Sequence, residues 1–298
     1  MRLLGIFISL SLGLVFAQAQ PADREALWKE VADAEKKGLP KTAAAKLQLI
    51  YDSAMQEGKH AEAIKALAKR ITNEGAVQGN KPEEKITRLQ AELEKTPDEA
   101  KPLLQTILGH WYWQYFRANR YRFLQRTATA QPLGNDFTTW DLPRLYHEID
   151  LHFTNALADG RLKTIPTTDF ADLLTKPTLP EKYRPTLYDF IAHEALGFYT
   201  SGEFAAAKPE DAFEVKVDDP LLGPLDKFLA WQPQTTDTKS PQFKAVRLYQ
   251  DVLRFHLDDA DSAALNDADI LRLLHGKRIA TGDGTNDRFI EVMQALVE

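Results

Sequence analysis

The chain of 298 residues contains no cysteine. This absence excludes disulfide bonds, zinc–thiolate sites, cysteine-ligated iron–sulfur clusters, a thiol nucleophile and a lipid-anchoring cysteine. The chain also lacks the G-x-S-x-G, P-loop and G-x-G-x-x-G patterns that position a nucleophilic serine or bind phosphate groups. We therefore expect neither an enzyme nor a bound cofactor, and we assign no catalytic, cofactor-binding or metal-binding residue.

Long apolar runs are also scarce, and the most marked one lies at the N-terminus. Arg2 precedes the apolar residues 3–16, and the small-x-small sequence Ala17-Gln18-Ala19 follows as a cleavage site. Residues 1–19 are therefore predicted to be a signal peptide that exports the chain to the periplasm or cell envelope, and retention as an anchor is the alternative. No later segment approaches the roughly 18 apolar residues of a membrane-spanning helix, so no integral span is expected after cleavage.

Strong positive charge is absent as well, since 37 Lys and Arg face 43 Asp and Glu. An acidic chain has no general electrostatic attraction to nucleic acid or to anionic membranes. We therefore expect its partners to be proteins.

The region 20–130 is predicted to consist of successive helices. Apolar residues recur at helical spacing on both sides of a short turn at residues 56–59, which predicts an αα-hairpin. The residues that make this pattern also follow the small/large order of a tetratricopeptide-type repeat: Leu47, Ile50, Tyr51, Ala54, Gly58, His60, Ala63, Ile64 and Leu67. The match is partial, because two further copies at a period of about 34 residues are not found.

The region 131–298 is predicted to be helical but irregular, since it holds 11 of the 16 prolines. No segment alternates with period two, so we expect no sheet. The fold class is therefore all-α, with a helical-hairpin, tetratricopeptide-like N-terminal part packed on an irregular Pro-rich C-terminal part. The two parts could also form one unit. The final helix runs to Val297-Glu298 without a cap, which favours a fragment of a longer protein or the product of a split gene.

A run of arginines and aromatic residues is the candidate interaction or structural surface. It comprises Trp111, Tyr115, Arg117, Arg120, Arg122 and Arg126. Such a run can hold a nucleic-acid backbone and bases, but the net charge and the export signal oppose that function. We expect the arginines to bind carboxylates such as Asp136, Asp141 or Asp150 and so to connect two helical layers, and a surface for a partner protein is the alternative.

Four histidines, one on each of four predicted helices, form the main enzymatic alternative: His110, His152, His193 and His256. Imidazoles from four helices can converge on a metal ion, as they do in bundle metal sites. None of the four has a glutamate three residues before it, and each lies among aromatic residues, so packing is the preferred interpretation. His147 and His152 are five residues apart, which places them on different helix faces rather than on the shared face that a zincin requires.

Several segments together resemble one family. They are residues 36–43 (KKGLPKTA), 80–89 (NKPEEKITRL), 110–116 (HWYWQYF), 120–127 (RYRFLQRT), 137–143 (FTTWDLP), 184–190 (RPTLYDF) and 244–250 (KAVRLYQ). The chain resembles the N-terminal helical region of large bacterial alpha-macroglobulin proteins of the planctomycete and Bacteroidetes type. None of these motifs is catalytic.

The resemblance implies an endopeptidase inhibitor that works as a trap. In that family a protease cuts a bait region and is enclosed, and in many members a Cys–Gln thioester captures it covalently. The bait, β-sandwich and thioester parts lie downstream of the region that this chain resembles, and a chain without cysteine cannot form the thioester. The leading hypothesis is thus a non-enzymatic exported scaffold or interaction module whose partners are proteases or downstream macroglobulin domains. The alternatives are an envelope metal-dependent hydrolase that uses the helix histidines and a stand-alone peptide-binding adaptor.

Overall fold

The computed structural model describes residues 23–79, 81–125, 134–171, 173, 179–203 and 211–297, and these residues form an all-helical protein. They contain no β-strand, and only two isolated bridges join extended residues, Pro166 to Thr186 and Lys216 to Thr281. The predicted all-α class is confirmed. The predicted signal peptide, residues 1–19, lies outside the described residues. Among the helices that are described, none is long and apolar enough to cross a membrane.

The first three helices form a stack at the N-terminal end of the described chain. They are α1 (Arg24–Lys36), α2 (Pro40–Gln56) and α3 (His60–Val77). Gly38 lies in the connection between α1 and α2, and Gly58 in the connection between α2 and α3. Their φ values are 67° and 68°, a left-handed conformation that glycine adopts without strain. α2 packs along both neighbours, and Leu47 and Ile50 are fully buried between them. The predicted helical hairpin is therefore present, whereas its membership of the tetratricopeptide repeats stays a prediction.

The next helices pack around the one that spans Lys101–Ala118. α4 (Pro82–Leu93) leads to α5 (Lys101–Ala118), which packs on α7 (Leu142–Leu157), and the short α6 (Arg120–Leu124) lies between α5 and α7 in the sequence. Gly109 allows this close approach, because a Cβ added there would lie 3.2 Å from the ring of Phe153. Asp141 caps α7, since its carboxylate accepts a hydrogen bond of 2.9 Å from the backbone N–H of Arg144.

One local prediction was wrong. The sequence Thr96-Pro97-Asp98-Glu99 resembles a cap and the first turn of a helix. In the structure α5 begins only at Lys101, and the hydroxyl of Thr96 donates to the carbonyl of Glu92 behind it, at 2.8 Å. Thr96 therefore closes the end of α4 instead of opening α5.

The C-terminal half alternates helices with 3-10 turns, as the proline content predicts. Its helices are α8 (Leu187–Tyr199), α9 (Leu225–Ala230), α10 (Pro241–Phe255), α11 (Ala263–Ile279) and α12 (Thr285–Val297). Thr186 and Asp189 cap α8 reciprocally, since each side chain accepts from the backbone N–H of the other.

One large cluster of buried apolar side chains joins most of these elements. It extends from Ile64 on α3 to Ala268 on α11 and includes Leu108 on α5, Ile149 on α7 and Phe198 on α8. The packed core is therefore continuous across residue 130, where the sequence pattern changes.

Candidate functional site

An open groove of about 390 Å³ lies between α3, α4 and α5. We call it the Trp111 groove, and its main lining residues are Pro82, Lys85, Ile86, Trp111, Gln114 and Tyr115. Its volume falls at the lower end of the roughly 300–1,000 Å³ that ligand pockets occupy. The groove is large enough for one or two side chains of a bound partner.

Helical spacing brings these residues onto one surface. On α4, Lys85 and Ile86 follow Pro82 by three and four residues, so all three lie on the same helix face. On α5, Gln114 and Tyr115 follow Trp111 in the same way. Thr72 of α3 and Ala118 at the end of α5 complete the lining.

The two aromatic residues of the groove have different roles. Tyr115 is only 6% exposed, and its ring packs edge-on against Phe137 and Phe123, with centroids 5.1 and 6.0 Å away. Tyr115 therefore forms the rigid floor of the groove. Trp111 is half-buried and packs against the outside of the main core cluster.

The indole N–H of Trp111 has no hydrogen-bond partner among the residues that the structure describes. Three of the other tryptophans donate to protein acceptors: Trp28 to Glu62 at 2.8 Å, Trp113 to Glu203 at 2.7 Å and Trp140 to the carbonyl of Gly134 at 2.7 Å. A tryptophan whose ring is partly packed and whose donor is free is typical of a binding surface.

Lys85 contributes the charge of the groove. Its aliphatic stem passes close to α3, since a Cβ added to Gly75 would lie 3.0 Å from its Cε atom. Within the described residues its ammonium forms no ion pair. The neighbouring cations on and next to α4 are paired, Arg88 with Glu74 at 2.7 Å and Lys81 with Glu84 at 3.4 Å.

Two other polar groups of the lining, on Thr72 and Gln114, have contacts within the protein. The Thr72 hydroxyl donates to the carbonyl of Ala68 at 2.9 Å, and Nε2 of Gln114 lies 3.2 Å from Nε2 of His110. The unpartnered donors of the groove are therefore the indole N–H of Trp111 and the ammonium of Lys85, and Oε1 of the exposed Gln114 is an acceptor in the same lining.

The predicted arginine run lies at the C-terminal end of α5 and on α6. Arg117 is 54% exposed, and its Nε lies 3.6 Å from Oε1 of Glu203. Arg122 donates to the carbonyl of Thr138 at 3.0 Å. Arg120 is exposed and forms no ion pair with a described residue, and Arg126 lies outside the described residues.

The carboxylate partners of this run differ in part from the expected ones. Glu203 was not expected, and it also accepts from the indole of Trp113. Of the three expected carboxylates, Asp150 has other partners, since Tyr199 donates to it at 2.8 Å and Lys244 pairs with its other oxygen. Arg117 and Arg122 therefore connect α5 and α6 to the segments near residues 203 and 138.

The four histidines do not converge on one point: His193 lies near His256 and Asp189, and His152 has other partners. His152 is buried, stacks on Tyr112 with centroids 5.6 Å apart, and contacts Gln105 through Nδ1. Burial lowers the pKa of His152 to about 4 and, together with Arg184, the pKa of His193 to about 3. No group of three or more side chains that could hold a metal ion occurs in the described part of the chain.

His256 occupies the most polar of these environments. It follows the last residue of α10, is fully buried, and contacts Asp189 through Nε2 at 2.7 Å and Asp259 through Nδ1 at 2.6 Å. Burial alone would lower the pKa of His256, but hydrogen bonds to the two aspartates outweigh this effect and raise it. His256 therefore joins the end of α10 to the start of α8.

The sequence interpretation missed a second buried polar group, which is centred on Arg272 of α11. Its side chain is fully buried and lies over the ring of Phe228 at 4.7 Å. Its guanidinium donates to Asp269 at 2.7 Å and to the carbonyls of Leu221 and Gly223 at 2.8 and 3.0 Å. This arginine fixes the 3-10 turn Pro220–Leu222 against α11.

Comparison with models of known protein families, with curated proteins and with solved structures finds no match for this chain.

Proposed function

We propose that this chain is a non-enzymatic helical scaffold that binds a partner protein in the Trp111 groove. The observation that carries the proposal is the combination of an open groove, a half-buried tryptophan and two unpaired donors. Rigid aromatic anchors in partly desolvated pockets contribute most of the binding energy at protein interfaces.

The position of the groove supports a scaffold. Its floor, Tyr115, belongs to the main core, and its walls are three helices of 12 to 18 residues. A site on packed helices is held more rigidly than a site on loops, so little ordering free energy is lost when a partner binds.

The family resemblance supports the same class of function. A helical leader region of a bacterial alpha-macroglobulin would be all-helical, non-catalytic and exported, and its partners would be proteases or the macroglobulin domains that follow it. The apolar residues 3–16 and the cleavage sequence Ala17-Gln18-Ala19 support export to the periplasm or cell envelope.

The hydrolase alternative has less support from the side chains. Both ring nitrogens of His256 are engaged by Asp189 and Asp259, and His152 contacts Gln105 through Nδ1 while its buried Nε2 has no hydrogen-bond partner among the described residues. Metal analysis of the purified chain separates the two hypotheses. Stoichiometric zinc or iron, together with loss of that metal in His152→Gln or His256→Gln, would contradict the scaffold.

Binding to an array of immobilised peptides of varied composition tests the scaffold directly. We expect the wild-type chain to retain a defined subset of the peptides and Trp111→Ala to lose that subset. Tyr121→Ala is the matched control, because Tyr121 is an aromatic residue that is 76% exposed and lies outside the groove. The proposal is wrong if both variants retain the same peptides as the wild-type chain.

A further inference from the structure

We propose that the partner segment that occupies the Trp111 groove carries carboxylates next to an apolar side chain. The proposal rests on the proposed function, because it specifies the ligand chemistry of the same groove. Its evidence is the pairing of charges around α4 rather than the shape of the groove.

Lys85 is the first part of this evidence. It stands in a chain with six more acidic than basic side chains, and it borders Ile86, which is 2% exposed. The cations on either side of it along α4, Lys81 and Arg88, have carboxylate partners. Lys85 is thus a half-buried cation that has no ion-pair partner in the described part of the chain. A carboxylate from another molecule would form that ion pair.

The second part is the character of the free polar groups. The indole N–H of Trp111 and the ammonium of Lys85 both donate, so they require acceptors. Ionised acceptors form shorter and stronger hydrogen bonds than neutral ones, and a carboxylate oxygen is an acceptor for either donor. The apolar lining, Pro82, Ile86 and the ring of Trp111, requires a side chain of aliphatic or aromatic character beside that carboxylate.

A nucleic acid would also offer anionic acceptors, but the surroundings oppose it. The cations nearest to Lys85 along the chain are occupied, because Arg88 is paired with Glu74 and Lys81 with Glu84. A phosphate backbone is held by several cations at once, and its affinity depends on that number. A single unpaired lysine in an apolar groove instead suits one carboxylate of an acidic peptide segment.

Labelled probe peptides can measure this preference by fluorescence anisotropy on the full chain. The peptides share Phe and Leu at the same positions and carry Glu, Gln or Lys at all the others. We expect the Glu peptide to bind about tenfold more tightly than the Gln peptide, which corresponds to one hydrogen bond to a charged group. The Lys peptide should bind least, and added salt should weaken only the Glu peptide.

Lys85→Gln should reduce the affinity of the Glu peptide to that of the Gln peptide. Lys41→Gln is the matched control, since Lys41 is an exposed lysine on α2 outside the groove, and it should change nothing. Equal binding of the three peptides that is still lost in Trp111→Ala would overturn the inference and leave the proposed function intact. Affinities that are unchanged in Trp111→Ala would overturn both.

Discussion

Replacing Arg272 by methionine should destabilise the protein by about 4 kcal/mol or more. Methionine keeps much of the volume but removes the charge and every donor. Asp269, which is 3% exposed, would then be a buried carboxylate without its cation, and breaking a buried pair in this way costs about 3–5 kcal/mol. The carbonyls of Leu221 and Gly223 would lose their donors as well.

The chain contains a matched control for this experiment. Asp251 and Arg254 on α10 have the same spacing as Asp269 and Arg272, and Arg254 also donates to a carbonyl, that of Leu229, at 2.7 Å. Arg254 is 41% exposed, whereas Arg272 is fully buried. Arg254→Met should therefore cost no more than about 1 kcal/mol, the usual upper value for a surface pair.

Urea unfolding followed by far-UV circular dichroism measures both variants. Because domains are stable by only about 5–15 kcal/mol, Arg272→Met could leave little folded protein, so Arg272→Lys is measured in parallel. Lysine keeps the charge but not the planar fork that reaches two carbonyls and a carboxylate, so an intermediate loss is expected. Equal midpoints for Arg272→Met and Arg254→Met would refute the reasoning that burial determines the difference.

Three further predictions concern the helix contacts and the buried imidazoles. Burial lowers the pKa of His152 and His275 to about 4, so unfolding takes up protons below pH 6.5. The free energy of unfolding should therefore fall by about 1.4 kcal/mol per pH unit for each group as the pH drops from 6.5 towards 4. Denaturant unfolding at several pH values should show that this free energy falls less steeply with pH in His152→Gln than in the wild-type chain. The raised pKa of His256 has the opposite sign: its contribution is complete below its unfolded pKa and is lost as the pH rises through the folded value, so His256→Gln should cost more at pH 6 than at pH 9 in the same assay. Gly109→Ala should cost about 1–3 kcal/mol because the new methyl group meets a phenyl ring at 3.2 Å, whereas Gly197→Ala, whose nearest atom is 3.9 Å away, should be neutral or stabilising in thermal melts.

Local sequence was sufficient for the helices. Proline at the start of α2, α4 and α10, the caps Asp141 and Ser240, and the turn glycines act within one or two turns of chain, so their effect is visible in the sequence. Helical spacing likewise identified the buried faces of α2 and α3.

Long-range pairing was not predictable in the same way. The sequences Asp-Val-Leu-Arg at residues 251–254 and Asp-Ile-Leu-Arg at residues 269–272 are almost identical, yet only the second pair is buried, because the turn Pro220–Leu222 covers it. Lys85 and Arg88 are both cations of α4, and the closest ion pair of Arg88, at 2.7 Å, depends on the position of Glu74 on α3. The Trp111 groove depends on contacts between distant segments of the chain. The sequence therefore indicated its aromatic residues but not its unpaired lysine.

Asp189 and His256 each lie at the helix end that favours their charge. Asp189 lies in the first turn of α8, where the helix macrodipole is positive, and His256 follows the last turn of α10, where it is negative. Each charge therefore interacts favourably with its own helix end as well as with its partner, by up to about 2 kcal/mol in buried geometries. Exchanging the two residues would preserve the ion pair but place both charges at unfavourable helix ends. The order of the two residues along the chain thus matters as much as their proximity.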